Sequence, residues 1–576
     1  MKKYFTYIRK KRFELLITLL FVGTSSVFSQ SFDVESVVKA KPLVVSGGFN
    51  ANGVFSDGLT SNTTPFDYFL SGRLNFNVLG LINVPLTFNY SSRKITFSQG
   101  YAFNQLSINP TYKWVTAYIG TNAMTFTPYS LNGHQFVGAG VELSPSKWKI
   151  KAMYGRLIKG QYEDPLVTGP TYNRMGYGYQ VQYNPGAYTL GMTMFRAYDQ
   201  EASLPELKRT FNGNVINPKD NIVVGLTFGT TLFHKLQFNI EYSNSVLTKD
   251  QSPRYESVSI RSLAGLFHSG NATTESYNAF KTQLNYNIQQ SNTILGVAYE
   301  RVDPNYTTLG GYYFVNDIVN YTFNVVQSLF KNKVNVSANL GIQEDDLNRT
   351  KANKQSRTIG AINTTWNVAK DFTMGFNFSN FQSYRFLNDT YTKLTRIQGI
   401  PIDTLNYALV SQTYGYNLNK QLKQTDTQQS SINFNANYLV SGSKTGDLVD
   451  ESAKTNILNT NLNYSLNYPK RQAGINIGLT YFGNQLYTGT LQGFGPTIGA
   501  QKTFIKKVNT SLNIAVLSTN NEMRDPTQSS NSSVLNASVS ANYSPAKGHS
   551  LNFNTSMVKN MTANFLNGNI SYSYSF

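Results

Sequence analysis

The last eleven residues of the chain, 566–576, alternate small polar side chains with apolar or aromatic ones and end on Phe576. A β-strand places successive side chains on opposite faces, so this segment has one polar face and one apolar face. Such a strand is suited to lie between water and an apolar phase. The pattern is typical of a strand in a membrane β-barrel.

The same alternation recurs along the chain. In residues 432–438, Ile, Phe, Ala and Tyr share one face while three Asn share the other, and comparable segments occur at 175–183, 236–242, 372–379 and 460–467. One such strand also fits a soluble sheet that covers a core. The repetition over the whole length therefore carries the prediction.

Clusters of Pro, Gly, Asn and Lys mark tight turns between these strands. They fall near residues 80–81, 113–114, 145–146, 185–186, 233–234, 289–290, 331–332, 370–371, 469–470, 505–506 and 545–546. Longer, more polar links separate them, at 158–173, 198–220, 244–275, 303–318, 344–356, 441–454 and 519–530. Outer-membrane barrels show this alternation of short periplasmic turns and long outer loops.

The interval 383–428 is too long for one link. A further strand at 407–419, followed by a polar turn at 420–428, restores the alternation of turns. The fold class is thus all-β: a transmembrane antiparallel up-and-down β-barrel of about 26 strands, with 24 as the alternative.

Composition agrees with this class. Only 14% of residues are charged, and after residue 30 no run approaches the roughly 20 apolar residues that a membrane helix requires. The absence of cysteine excludes disulfides and thiolate metal sites. A closed barrel does not need them, because its backbone groups pair from strand to strand.

Residues 1–29 have the organisation of a secretory signal peptide. Basic residues at 2–12 precede an apolar run at 15–22 and a small-residue cleavage site at 27–29. A retained anchor helix is the alternative. Residues 30–42 then form a short periplasmic segment, too short for a plug domain, and residues 43–576 form the transmembrane β-barrel.

The formal net charge of +19 makes the chain basic. Nucleic acid is the usual partner of so basic a chain, but we do not expect it for an exported barrel. Lys and Arg in wet loops and at the membrane interface explain the charge more simply. Outer-membrane lipid is the expected partner, together with other outer-membrane or surface proteins.

The polar face of the strands predicts the lining of a lumen. It holds mainly Asn, Gln, Ser, Thr and Gly, which suit water and solutes. The charged positions predicted on this face are Arg73, Lys149, Lys151, Arg174, Lys235, Glu241, Lys281 and Glu300. Positive residues outnumber negative ones, so a weak preference for anions is expected.

No residue pattern indicates catalysis. The histidines, His134, His234, His268 and His549, have no metal-ligand spacing, and no Ser, His and acid combination is evident. The acidic clusters 344–346 and 447–451 offer carboxylates for Ca²⁺, although solvated loop edges are the commoner meaning of such clusters. We expect neither an enzyme nor a cofactor.

The leader junction at Ser29 and Gln30, the strands rich in Asn, Tyr and Phe, and the aromatic C-terminus resemble outer-membrane barrels of Bacteroidetes-type bacteria. The resemblance implies the outer membrane of a Gram-negative bacterium as the location. It also implies that Tyr572, Tyr574 and Phe576 form a C-terminal signal for the barrel-assembly machinery.

These observations predict a polar, porin-like conduit for solutes, with loops 244–275 and 383–406 constricting its mouth or binding a partner. The alternative is a non-conducting or gated barrel that scaffolds an outer-membrane secretion, motility or surface-export complex. A wide barrel without a plug leaks, and this favours the alternative.

Overall fold

The computed structural model describes residues 41–57, 65–92, 105–161, 170–211, 213–252, 256–312, 314–348, 356–383, 408–445, 448–559 and 564–576. The predicted signal peptide and all but the last two residues of segment 30–42 lie outside these ranges. The first strand begins at Leu43.

Alternating polar and apolar residues form the strands β1 (Leu43–Asp57), β2 (Phe66–Val78), β3 (Ile82–Ser91), β4 (Gln105–Ile108), β5 (Thr111–Tyr112), β6 (Val115–Thr125), β7 (Asn132–Leu143), β8 (Trp148–Ile158), β9 (Asn173–Tyr183), β10 (Tyr188–Gln200), β11 (Thr210–Phe211), β12 (Asn214–Val215), β13 (Asp220–Leu232), β14 (Leu236–Thr248), β15 (Val258–Ser259), β16 (Ser269–Gly270), β17 (Thr274–Ile288), β18 (Thr293–Val302), β19 (Ile318–Leu329), β20 (Val334–Asp345), β21 (Ser356–Ala369), β22 (Phe372–Ser383), β23 (Ala408–Gln424), β24 (Gln429–Thr445), β25 (Leu448–Tyr468), β26 (Ala473–Leu486), β27 (Gly489–Phe504), β28 (Val508–Met523), β29 (Ser530–Tyr543), β30 (His549–Lys559) and β31 (Asn564–Ser575). Short 3-10 turns occur at Glu201–Ser203, Glu206–Lys208, Ala264–Leu266, Gln289–Ser291, Pro469–Arg471 and Pro526–Gln528. The described residues contain no helix that is long and apolar enough to cross a membrane.

The strands form one closed antiparallel barrel. The main sheet has 27 strands, but β4 and β5 follow one another between β3 and β6 and count as one interrupted strand. β1 pairs with β31, from Gly48 opposite Ser575 to Asp57 opposite Leu566, and this pairing closes the ring. The prediction of a 26-stranded antiparallel barrel is confirmed.

Short turns occupy the end of the barrel that holds both Leu43 and Ser575. Phe233 and His234 at one of them have φ of 52° and 56°, the left-handed conformation of a type I′ hairpin. The predicted extra strand exists as β23, and the turn after it closes where Thr425 N donates to Gln428 O at 2.9 Å.

Of the predicted long links, 441–454 is mostly strand and half of 519–530 is strand. β24 extends to Thr445 and β25 begins at Leu448, while β28 extends to Met523 and β29 begins at Ser530. We expected the polar residues to mark loops. Instead, the hydrogen-bonded strands continue beyond the apolar part of the wall, and their side chains there are polar on both faces.

The two faces of the wall differ in polarity. Val297, Phe323 and Leu340 are neighbours in register, and each is more than a third exposed on the outer face. The intervening positions in the same strands, such as Thr322 and Asn324, turn to the lumen. Bilayer-spanning barrels combine such an apolar exterior with a polar interior.

Aromatic side chains ring the outer face near the short turns. The rings of Trp148 and Tyr183 lie 4.6 Å apart, and the ring of Tyr188 lies 6.3 Å from that of Tyr183. Tyr183 and Tyr188 flank the turn at 184–187, and Trp148 begins the neighbouring strand β8. This is the position of an aromatic girdle at a membrane interface.

The loop after β14 covers the outside of the barrel. Ala264 packs with Ile222, Val224 and Val246, which share the outward face of their strands, and Ala264 N donates to Asn244 Oδ1 at 2.9 Å. The expectation that this loop constricts the mouth was wrong for its described part. Residues 384–407, the core of the other expected constriction, lie outside the described residues.

Candidate functional site

Two loop segments fold into the lumen and contact each other. We call residues 126–131, between β6 and β7, and residues 303–312, after β18, the infolded segments. Thr308 Oγ1 donates to Ser130 O at 2.7 Å, and Tyr306 OH donates to Tyr129 O at 2.8 Å. These bonds join the two segments into one unit.

Hydrogen bonds attach this unit to the lumen wall. Asn221 Oδ1 accepts from Leu309 N at 3.1 Å, and Ser245 Oγ donates to Thr307 O at 2.7 Å. Gln180 Nε2 donates to Phe126 O at 2.7 Å. Because these polar side chains hold the loop backbone, its buried amides and carbonyls do not lose their hydrogen bonds.

An apolar cluster seals the contact. Leu309 packs on Phe136, Phe195 and other inward side chains of β6 to β10, and Phe195 is fully buried. A Cβ at Gly310 would lie 2.5 Å from the Phe195 ring, so only glycine permits this approach. The expected polar face of these strands is therefore apolar where the infolded segments cover it.

Tyr129 connects the unit to charged wall residues. Its hydroxyl donates to Glu300 Oε1 at 2.5 Å, and Glu300 also accepts from Asn320 Nδ2 at 3.1 Å. Burial, reinforced by the Glu300 carboxylate, raises the pKa of Tyr129 far above its ordinary value. The phenol therefore stays neutral, and remains a donor, throughout the physiological pH range.

A polar cavity of about 560 Å³ opens beneath the infolded segments, and we call it the recess. Its roof is 126–128, and amide and hydroxyl side chains of β9 to β17 line its walls. Gly191 stands in register between Gln182 and Thr227, and a Cβ there would lie 2.2 Å from Thr227 Oγ1. The Thr227 hydroxyl therefore occupies the space that a side chain at position 191 would need.

Among the residues that the structure describes, the opposite wall carries no charge in its lumen-facing rows. Across β23 to β31, the inward positions between 411 and 573 that the structure describes are Asn, Gln, Ser, Thr or Gly with a few apolar residues. Amides and hydroxyls bond across neighbouring strands, as in Asn461 Nδ2 to Thr480 Oγ1 at 2.8 Å and Gln501 Nε2 to Asn467 Oδ1 at 2.9 Å. We call this surface the neutral wall.

The charged positions predicted for the lumen lie in different surroundings. Lys149 pairs with Glu142 at 3.0 Å, and Arg174 makes two bonds to Asp199, at 2.7 and 3.1 Å. Lys151 Nζ donates to Thr125 O at 2.9 Å.

The remaining predicted positions fall into three places. Glu241, Lys281 and Glu300 stand side by side in register on β14, β17 and β18. Arg73 is exposed on β2 opposite Gly48 and Thr87. Lys235 is exposed in the short turn before β14 and lies outside the strands.

The histidines have structural surroundings. His134 stacks on Tyr312 of an infolded segment with ring centroids 4.0 Å apart, and His268 Nε2 lies 3.9 Å from Asp220 Oδ2 on the outside of the wall. His234 is exposed in its turn. Among the described residues no group of three or more His, Cys, Asp or Glu is arranged to hold a metal ion.

The acidic clusters divide between described and undescribed parts. Asp346 N and Leu347 N donate to the Asp317 carboxylate, so that region ties two loops together. Asp447 lies outside the described residues, as do the side chains of Asp450 and Glu451.

The C-terminal strand completes the ring with aromatic contacts. The ring of Phe49 on β1 lies 5.8 Å from Tyr572 and 5.9 Å from Tyr574, and Tyr574 stacks on Phe576 at 5.4 Å. Gly47 and Phe576 exchange both backbone hydrogen bonds, at 3.0 and 2.9 Å. The role of this strand as an assembly signal stays a prediction.

We expect the double substitution Tyr574→Ser with Phe576→Ala to lower the yield of folded barrel. It removes aromatic pairs worth about 0.5–1.5 kcal/mol each from the closing seam. Heat-modifiable migration of membrane fractions measures the folded share. Phe553→Ala, an exposed outward aromatic of β30, is the control, and equal yields for the two variants would contradict a special role for the terminal residues.

Sequence reasoning missed the residues that position the infolded segments. Tyr306, Leu309 and Phe195 are buried, yet none of them belongs to a conspicuous apolar run in the sequence. The usable signal is the continuous run Ile222, Val223 and Val224, because a strand covered on both faces loses its alternation. Infolded segments cover the inside of β13 here, and the loop around Ala264 covers its outside.

Comparison with known proteins found distant similarity to solved structures. No family model matches the chain, and no curated protein matches it. Among solved structures, the translocation pore of the P pilus usher PapC is 11% identical, with 92% of this chain and 99% of that chain covered and a TM-score of 0.40. The siderophore receptor PirA from Acinetobacter baumannii is 10% identical, with 92% of this chain and 80% of that chain covered and a TM-score of 0.38. OccAB4 from Acinetobacter baumannii is also 10% identical, with 68% of this chain and 97% of that chain covered and a TM-score of 0.30. Values this low carry no weight for function.

Proposed function

We propose that this protein is an outer-membrane, porin-like conduit for small polar solutes. The observation that carries the proposal is the neutral wall inside a closed barrel with an apolar exterior. Barrels of 16–18 strands already leave an aqueous channel. In a ring of 26, the described contacts of the infolded segments lie on the wall around β6 to β19, and Asn417, Asn435 and Asn437 of the neutral wall are exposed.

Weak ion selectivity is part of this proposal. The anion preference expected from the sequence assumed free lumenal cations, but Lys149 and Arg174 have acidic partners and Lys281 lies between Glu241 and Glu300. Paired charges create little net field in a hydrated pore. The conduit would therefore separate solutes by size and hydrogen bonding more than by charge sign.

The location, the partners and the non-enzymatic character belong to the same proposal. An apolar belt with an aromatic girdle suits the outer membrane of a Gram-negative bacterium, and the exported chain would reach it through the barrel-assembly machinery. Outer-membrane lipid is its proposed surrounding partner. The proposed mechanism is passive diffusion through the lumen, which needs neither a cofactor nor a catalytic residue.

A proteoliposome swelling assay tests the conduit. Full-length protein in phosphatidylcholine vesicles should admit glucose and sucrose and exclude a large dextran, and reversal potentials in planar bilayers under a salt gradient should stay near zero. Protein-free vesicles that went through the same detergent removal are the control. Two results together would contradict the conduit and favour the scaffold alternative. The vesicles would stay impermeable to glucose, and other proteins would co-purify with this one in stoichiometric amounts in mild detergent.

A further inference from the structure

We propose that the recess is a binding site for a small, uncharged polyhydroxyl solute of mono- or disaccharide size. The inference rests on the proposed function and deepens it, because it names a solute class and the place where the solute is held. At about 560 Å³, the recess falls within the range of roughly 300–1,000 Å³ typical of small-molecule sites.

The lining matches hydroxyl groups. Gln182, Thr227, Asn239 and Gln283 lie around the recess, on β9, β13, β14 and β17. An amide offers two donors and an acceptor, and a threonine hydroxyl offers both roles. Neighbouring hydroxyls of a sugar need such mixed donors and acceptors at short spacing, whereas apolar solutes would leave these groups unpaired.

One acceptor in the recess wall has no partner. Glu241 Oε1 is buried and accepts no hydrogen bond from the residues that the structure describes. Buried acceptors are nearly always paired. Because this atom has almost no accessible surface, a solute hydroxyl in the recess would supply the missing bond only after the Glu241 side chain turned toward it.

The charges of the recess argue against an ionic solute. Of the lining residues that the structure describes, only Glu241 and Lys281 are charged. Lys281 stands in register between Glu241 and Glu300, so the strand position on each side of it carries a carboxylate. The opposite charges of Glu241 and Lys281 leave the recess close to neutral, which suits an uncharged solute better than an ion.

The position of the recess suits a resting place on a diffusion path. Its open side reaches the short-turn end of the barrel through residues 184–187 and 230–231, and the infolded segment 126–128 closes the other side. A solute that enters from the short-turn end therefore meets amide and hydroxyl groups before it meets the apolar contact of Leu309 and Phe195.

Binding of sucrose to the full-length protein in detergent tests the site. Saturation-transfer NMR should show saturable sucrose binding. Thr227→Val keeps the shape of the side chain, and Gln283→Leu replaces the amide by an apolar group. Both remove hydrogen-bonding groups, so each should raise the Kd for sucrose roughly five-fold. Gln528→Leu, in the exposed turn Pro526–Gln528, is the matched control and should leave the Kd unchanged.

The outcomes separate this site from the conduit. Absence of saturable sucrose binding, or binding that Thr227→Val and Gln283→Leu leave unchanged while far-UV circular dichroism shows folded barrels, overturns the recess site. Stronger binding of the zwitterion glycylglycine than of sucrose overturns the solute class. If the vesicles admit sucrose but the protein shows no measurable sucrose binding, the conduit proposal stands and the recess site is contradicted. If the protein binds sucrose but the vesicles stay impermeable to it, the recess site stands and the conduit proposal is contradicted.

Discussion

Replacing Tyr306 with Ala is expected to loosen the infolded segments and to raise the conductance and current noise of the barrel. Tyr306 is fully buried, contacts the rings of Tyr129 and Phe314, and donates one of the two bonds that join the segments. Loss of a buried aromatic side chain costs about 3–5 kcal/mol. That is enough to populate states in which residues 303–312 leave the wall.

Single-channel recording in planar bilayers measures this effect. Tyr321→Ala removes an aromatic ring that is 54% exposed on the outer face and is the matched control. It should leave the mean conductance and its fluctuations as they are. If Tyr306→Ala behaved like Tyr321→Ala, the infolded segments would have no influence on the open lumen.

Replacing Phe323 with Arg is expected to destabilise the barrel strongly. Phe323 is 46% exposed near the middle of β19, on the face that we assign to lipid. Arg at the midplane of a bilayer costs about 2–4 kcal/mol on the lipid face of a barrel. Equilibrium unfolding by urea in phosphatidylcholine vesicles should show this loss as a lower midpoint.

The neighbouring position supplies the control. Asn324→Arg places the same charge one residue further along β19, on the lumen face. Because this side chain reaches water, its effect on the urea midpoint should be small. Equal destabilisation by the two variants would contradict the assignment of the faces.

Alternation and turn chemistry made most of the fold predictable. A strand with Asn on one face and Phe, Ala and Tyr on the other fits few environments besides the wall of a membrane barrel. Turns such as 233–234 determine where each strand ends. The strand β23 was predicted only because the hairpin rhythm required it. Even the closing role of residues 564–575 follows from the alternation in that segment.

The candidate site was less predictable, for a physical reason. Its geometry depends on where two loops go, and local sequence does not determine this. Tyr306 and Thr308 lie in a segment that reads as a polar link, and their burial arises from contacts with Tyr129 and Ser130 far away in the chain. For Lys235 the local pattern was misleading. The alternation of β14, extended back to Lys235, places this residue on the lumen face, but the alternation stops at the turn before β14.

The bond between Tyr306 and Tyr129 joins residues that are 177 positions apart in the chain. Contacts of such separation form late, because loop closure must be complete before they stabilise anything. All strands from β7 to β18 must stand side by side before the two segments meet. The nascent barrel would thus lack this constriction until the part of the wall from β7 to β18 has assembled.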